Sequence, residues 1–217
     1  MNINDIHTGD MILSTGTHFG ARFVKFWTGS IYNHVAIVIE CPITKHKYIF
    51  ETGDPSKTGI WIIGNNYSVT DNHLTHIQGL TNELDKFYCR KLLIKDPFTG
   101  ELRRVENKDL SIYKVWEYIS KHVTKSYDFN VFANWNEESW FSLFDTTFLS
   151  HILLEKDQWS CSELVYFFYN NFGILDKKND IEIKKLYPRD FVTLHKFHLL
   201  NNFIFGPLEL INNKSYI

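Results

Sequence analysis

The stretch Gln158-Trp159-Ser160-Cys161-Ser162-Glu163-Leu164-Val165-Tyr166-Phe167-Phe168-Tyr169 decides how this chain is read. Ser160 and Glu163 stand at the Ser-x-x-Glu spacing of a capping box, in which each side chain satisfies a backbone N–H that the first helical turn leaves unpaired. Ser160 is therefore predicted as the N-cap and Cys161 as the first helical residue. At that position the positive end of the helix dipole favours thiolate over thiol. Leu164, Val165, Phe168 and Phe172 recur at helical spacing, and Gly173 supplies a C′ stop, so the helix is anchored in a core. A thiol displayed in this way suits a nucleophilic hydrolase. A second reading stays open on this segment alone: free Cys is among the most buried residue types, and Cys161 also fits as a small core residue.

Upstream of this helix the chain reads as strands. Gly9-Asp10-Met11-Ile12-Leu13-Ser14 is a turn followed by a short buried strand. Thr17 is read as the cap of a helix carrying Phe19, Phe23, Phe26 and Trp27, closed by Gly29. Residues 32–40, from Tyr32 to Glu40, form a strand by their β-branched content, and Lys47-Tyr48-Ile49-Phe50-Glu51 returns as its hairpin partner. Residues 59–63 and 87–94 are further strands, with an ambiguous stretch over 65–84 between them. An amphipathic helix is predicted over 109–123, with Ile112, Trp116, Ile119 and Val123 on one face. After the Cys161 helix, Pro188 marks a second helix start, and a strand over 204–211 ends the fold. No repeat, low-complexity tract or linker divides the 217 residues, so a single α+β domain over 1–217 is expected. A domain of this size buries roughly 70 per cent of the surface its unfolded chain exposes.

Composition narrows the function classes. A net charge of −2 gives no general nucleic-acid surface. The three cysteines, Cys41, Cys89 and Cys161, form neither a CxxC pair nor an even disulfide framework, which suits a reduced, intracellular setting. The opening Met-Asn-Ile-Asn-Asp-Ile-His is polar and acidic and does not read as a signal peptide. No apolar run is long enough for a spanning helix. His73-x-x-His76 and His195-x-x-His198 have spacings that suit a metal on a helix, but neither is accompanied by a CxxC or HExxH motif. They are read as surface or core histidines, and no metal or other cofactor is expected. Glu101-Leu102-Arg103-Arg104 and Lys177-Lys178 are read as solvated charge runs.

Three residues converge on one mechanism. A thiol attack on a carbonyl needs a thiolate, a nearby imidazole, and a third polar group that fixes the ring's tautomer. Cys161 is the candidate nucleophile, His34 the base and Glu51 the group that orients it. Strands pairing as a hairpin bring His34 and Glu51 side by side. Taken singly, His34 also fits as a core histidine bonded to a backbone group, and Glu51 as a solvated strand end. The set is what carries the reading.

These segments, with Tyr127-Asp128-Phe129 and Pro188-Arg189-Asp190-Phe191, occur in an order that resembles YiiX-like proteins. Those are circularly permuted members of the NlpC-type branch of papain-like hydrolases, with poxviral relatives, in which the histidine strand precedes the cysteine helix. The resemblance covers most of residues 9–192. It implies a permuted papain-like α+β fold, an antiparallel sheet packed against helices. It implies Cys161, His34 and Glu51 in the roles above, and Tyr32 as an oxyanion or substrate contact; the backbone N–H of Cys161 is another oxyanion donor. The implied function is a cysteine peptidase, amidase or acyltransferase acting through a Cys161 thioester. Its substrate would bear an amide, peptide or acyl group, lipids included. The alternative is a non-catalytic lipid- or peptide-binding protein, virion-associated if the source is viral, using the same cleft. The implied location is the cytoplasm, or the virion or host cytoplasm. The aromatic-rich segment 130–155, with Trp135, Trp140, Phe141 and Phe144, departs from the family; it fits a helical core element, the more frequent case, or an apolar flap over a pocket, and residues 135–149 are expected to border the cleft and favour an apolar or acyl-bearing substrate.

Overall fold

The apolar runs of the sequence become strands buried on both faces. Along Val35-Ala36-Ile37-Val38-Ile39 every side chain is buried, as in a strand covered on each side. Alternation then divides the core. Val35, Ile37 and Ile39 join Met11, Leu13, Phe50, Leu164, Val165 and Phe168 on the helical side. Ala36 and Val38 join Ile6, Ile12, Ile49, Cys89 and Ile211 on the other.

The computed structural model describes residues 1, 5–16, 25, 26, 28–41, 43, 45, 47–54, 57–63, 86–122 and 160–211, with the backbone alone for 52–54 and 57–63. In chain order the elements are β1 (Met11–Thr15), β2 (His34–Glu40), β3 (Lys47–Asp54), β4 (Lys57–Ile63), β5 (Lys86–Lys95), β6 (Leu102–Arg104), α1 (Ile112–His122), α2 (Cys161–Asn171), β7 (Leu175–Lys177), a 3-10 turn (Ile183–Lys185), α3 (Pro188–Thr193), β8 (Phe197–Leu199) and β9 (Phe203–Leu210). The sheet has seven strands in the order β4-β3-β2-β1-β5-β6, with β9 also pairing β5. Its ladders are antiparallel. β7 and β8 form a separate antiparallel ribbon. The architecture is a mixed α+β fold with an antiparallel sheet, and α2 packs on β2 and β3.

Several expectations change. Tyr32 and Asn33 precede β2 rather than belonging to it. Their extended path is held instead by Asn33, whose Oδ1 accepts the Gly16 N–H at 2.6 Å and whose N–H donates to Ser14 O at 3.1 Å. Phe26, placed by sequence on an apolar helix face, is 80% exposed. The run at 101–104 is not simply solvated: Leu102–Arg104 is β6, and its two arginines are paired. Arg104 binds Asp10, a carboxylate only 1% exposed, at 2.7 and 3.0 Å. Arg103 takes Asp109 in a fork at 2.6 and 2.8 Å. A buried carboxylate needs such donors, and Asp10 also accepts the N–H groups of His7 and Leu92. Lys177 likewise lies in β7, not in a free charge run. His195 and His198 fall outside any helix, on the turn after α3 and on β8.

One glycine is demanded by this arrangement. Gly9 has φ +87°, and a Cβ there would stand 2.8 Å from Leu92 Cδ2, so any other residue in the tight turn into β1 would be strained and would displace the Leu92 side chain. The Tyr127-Asp128-Phe129 motif, the aromatic segment 130–155, the whole stretch 65–84 with His73 and His76, and Thr17, Phe19, Phe23 and Trp27 lie outside the described residues.

Candidate active site

The capping box forms as the Ser160–Glu163 spacing predicts. Ser160 Oγ accepts the Glu163 N–H at 3.2 Å, and Glu163 Oε2 accepts the Ser160 N–H at 2.8 Å. Both side chains are buried. α2 starts at Cys161 and ends at Asn171, capped by Phe172, with Gly173 at φ +64° just beyond. Leu164, Val165 and Phe168 lock it into the core, so the thiol's position is set by packing rather than by a loop.

What the thiol meets is a split in the sheet. The β2–β3 ladder runs from Glu40–Lys47 to Ile37–Phe50 and stops there, although β2 continues back to His34 and β3 on to Asp54. Beyond the split β3 is paired only with β4. His34 and Glu51 both lie beyond the last shared pair, Ile37–Phe50. Their side chains close the distance: His34 Nε2 lies 2.5 Å from Glu51 Oε2. The Glu51 side chain is 7% exposed and that of His34 22%.

The split also frees an amide. Val38 N–H donates to Asp10 O on the β1 side of β2. By alternation Val35 N–H points to the β3 side, where the ladder has ended. The Val35 amide and the His34 imidazole both act on the Cys161 thiol.

The electrostatics follow from these contacts. Burial by itself pushes the Cys161 thiol up. The hydrogen bond and charge of His34 outweigh it, and with the Val35 amide and the Ser162 hydroxyl they hold the thiol below its ordinary value. Burial by itself lowers His34, but the Glu51 carboxylate and the Cys161 thiolate hold it up to about 10. With the thiol held down and the imidazole held up, the pair favours thiolate and imidazolium. Cys89 is the contrast: buried in β5 beside Asp10, its thiol is pushed well above the ordinary value, first by burial and then by that charge.

The structure thus brings together Cys161, His34 and Glu51. Tyr32 has its ring edge-on to Tyr88, with centroids 5.5 Å apart, and its N–H donates to Ser30 Oγ. Sequence reasoning had no means of finding Val35, because its part depends on where a ladder ends. Ser162 was visible only as the neighbour of Cys161. Among the described residues no group of three or more His, Cys, Asp and Glu side chains is arranged to hold a metal ion. None of the described helices is long and apolar enough to cross a membrane.

No protein-family model matches the chain, and no curated protein is significantly similar to it. Among solved structures, the crystal structure of metalloprotein YiiX from Escherichia coli O157:H7 superposes with a TM-score of 0.46 and 16% identity, over 94% of this chain and 98% of that one. A likeness of that strength leaves the site to stand on its own geometry.

Proposed function

We propose that the protein is a cysteine hydrolase or acyltransferase on a permuted papain-like, NlpC-type fold. Cys161 is its nucleophile, His34 its acid and base, and Glu51 the group that orients the ring. The observation that supports this reading is the pairing of His34 Nε2 with Glu51 Oε2, by an imidazole that also holds down the Cys161 thiol.

The chemistry runs from that resting state. The Cys161 thiolate attacks an acyl carbon, and the carbonyl π electrons move to oxygen. The Cys161 N–H, in the first turn of α2 where amides lack helical partners, faces the developing charge. Tyr32 is the side chain proposed to reach the same oxygen. Collapse expels an amine or alcohol, which takes the proton from His34 Nδ1 and leaves a Cys161 thioester. His34, now neutral, takes a proton from water or from an acyl acceptor as it attacks the thioester. The acyl product leaves, and the thiolate and imidazolium return. Glu51 keeps the ring in one tautomer through both halves.

The test offers p-nitrophenyl esters of graded acyl length and a panel of peptide amides, with intact-mass detection of the enzyme. An acyl adduct on Cys161, absent from Cys161→Ala and stalled in His34→Ala, is the expected result. Saturable ligand binding with no adduct and no product, by a protein whose Cys161 alkylates normally, would replace the enzyme with a binding protein.

A further inference from the structure

The backbone of His34 is held from one side only. The β1–β2 register runs from Met11–Ile37 to Ser14–His34, whereas β3 pairs with β2 no further back than Ile37–Phe50. Residues 34–36 are therefore paired with β1 alone, and His34 is the last of them. A strand end paired along one edge frays readily. The residue just outside the last pair is Asn33. Carried on, the register would set Tyr32 opposite Gly16 and give the Gly16 N–H to the Tyr32 carbonyl. That amide goes instead to Asn33 Oδ1 at 2.6 Å, while the Asn33 N–H donates to the Ser14 carbonyl at 3.1 Å. Gly16 is buried, so its amide needs the acceptor. The Tyr32 N–H is taken by Ser30 Oγ at 3.0 Å.

We propose that Asn33 is a positioning residue: its side chain clamps the free end of β2 to β1 and so holds the His34 ring where it meets Glu51. The inference rests on the reading of Cys161, His34 and Glu51 as one site and adds the group that fixes the ring's backbone. A side chain suits this task better than one more backbone pair. It satisfies the Gly16 amide while letting the chain leave the sheet at Tyr32, so the ladder ends beside His34 without an orphaned donor. The bonded atom is the oxygen, because Gly16 offers an N–H. With Ala at position 33 the clamp is gone and the end of β2 frays. The pairing of His34 Nε2 with Glu51 Oε2, 2.5 Å apart, is then made only part of the time. No bond to Asn33 forms or breaks in the reaction.

The titratable groups on the elements packed around His34 are few. They are Glu51 on β3 and, on α2, Cys161 and Glu163, the last tied to the Ser160 amide. On α3, which touches β2, Arg189 donates to the Thr28 carbonyl and Asp190 is held by Lys196 at 2.9 Å. The β1 residue opposite His34 is Ser14, which is neutral. Tyr32 turns its ring edge-on to Tyr88. Burial lowers His34, and the charges of Glu51 and Cys161 raise it, to about 10. Asn33 is neutral, so replacing it with Ala acts on His34 through position and not through charge.

The experiment is an NMR titration of the His34 ring in the full chain and in Asn33→Ala, Asn33→Asp, Glu51→Gln and the double variant Asn33→Ala with Glu51→Gln. The signal is assigned by its loss in His34→Gln, and hydrogen exchange of the Gly16 amide and thermal unfolding accompany each variant. In Asn33→Ala the His34 midpoint falls by about one pH unit, and the Gly16 amide exchanges about tenfold faster or more. In the Glu51→Gln background the same replacement moves the midpoint little, because both changes act on one contact. Asn33→Asp keeps an acceptor for Gly16, so its amide stays protected; an unprotected Gly16 there overturns the clamp, whatever the added charge does to the midpoint. A purely structural Asn33 predicts a lower melting temperature with an unmoved His34 midpoint, as Arg104→Ala should give from its distant pair, and that result overturns the clamp. So does a shift of full size when Glu51 is replaced. Should Asn33→Ala fail to fold, Asn33→Ser takes its place with the same readout. If His34 in the unmodified protein titrates near 6.5 and Cys161 alkylates like a free thiol, the site itself is wrong, which is distinct from the failure of Asn33 alone.

Discussion

His34 Nε2 lies 2.5 Å from Glu51 Oε2, and this bond decides which end of the ring is offered to Cys161. An imidazole has two nitrogens, so a ring tied at Nε2 presents Nδ1 to the thiol. The pairing depends on two strands that share a ladder up to Ile37–Phe50 and then part. A ladder carried further would have used the Val35 amide and closed the place where the thiol sits.

Cys161 is expected to be the most reactive of the three cysteines. Its thiol is held below the ordinary value, whereas burial and Asp10 push that of Cys89 up. Iodoacetamide at pH 6 should label Cys161 about tenfold faster than Cys89, because the thiolate is the nucleophile. Equal labelling by peptide mass spectrometry would contradict the assignment.

Glu51→Gln is expected to bring the alkaline limb of activity down. His34 keeps its proton up to about 10, and the nearby carboxylate is the chief influence raising it. A group raised in the folded state stabilises fully below its ordinary value of about 6.5 and loses that contribution as pH rises through the folded value. Glu51→Gln should therefore shift the limb downward and flatten the fall in stability between pH 7 and 10. Urea unfolding at both pH values, with the rate profile, checks the two consequences together.

His34→Ala and Cys161→Ala are expected to be non-additive. Residues sharing one step lose most of the rate when either is removed, and the double variant loses little more. Acyl-adduct formation with the ester panel is the measurement. Multiplicative losses would separate the two side chains into different steps.

Ser160→Ala should weaken both the fold and the site. Losing the cap costs about 0.5–2 kcal/mol and leaves the Glu163 amide without its acceptor. Because the same turn carries Cys161, the alkylation rate at pH 6 should fall with stability. Denaturant midpoints and labelling rates, measured side by side, test the coupling.

Arg104→Ala should destabilise without touching the thiol. It strips the main counter-charge from Asp10, which is 1% exposed, and breaking such a pair costs about 3–5 kcal/mol. Cys161 labelling under native conditions should stay as in the unmodified protein. A change in its midpoint would link the Asp10 hub to the site.

The sequence by itself determined the elements whose signal is local. Ser160 and Glu163 announce a helix start, Gly173 its end, and the β-branched run 35–39 a buried strand, because caps and side-chain alternation act within a few residues. His34, Glu51 and Cys161 were legible as types and as an order along the chain. Other features were decided only by tertiary structure. Leu102–Arg104 looks like a charge run until β5 pairs with it and Asp10 receives Arg104. Tyr32 looks like strand until β2 begins at His34 and the ring turns to Tyr88. The freed Val35 amide has no sequence signature at all. An amide's partner is set by where two ladders end and which helix arrives there, and those are relations between segments far apart in the chain.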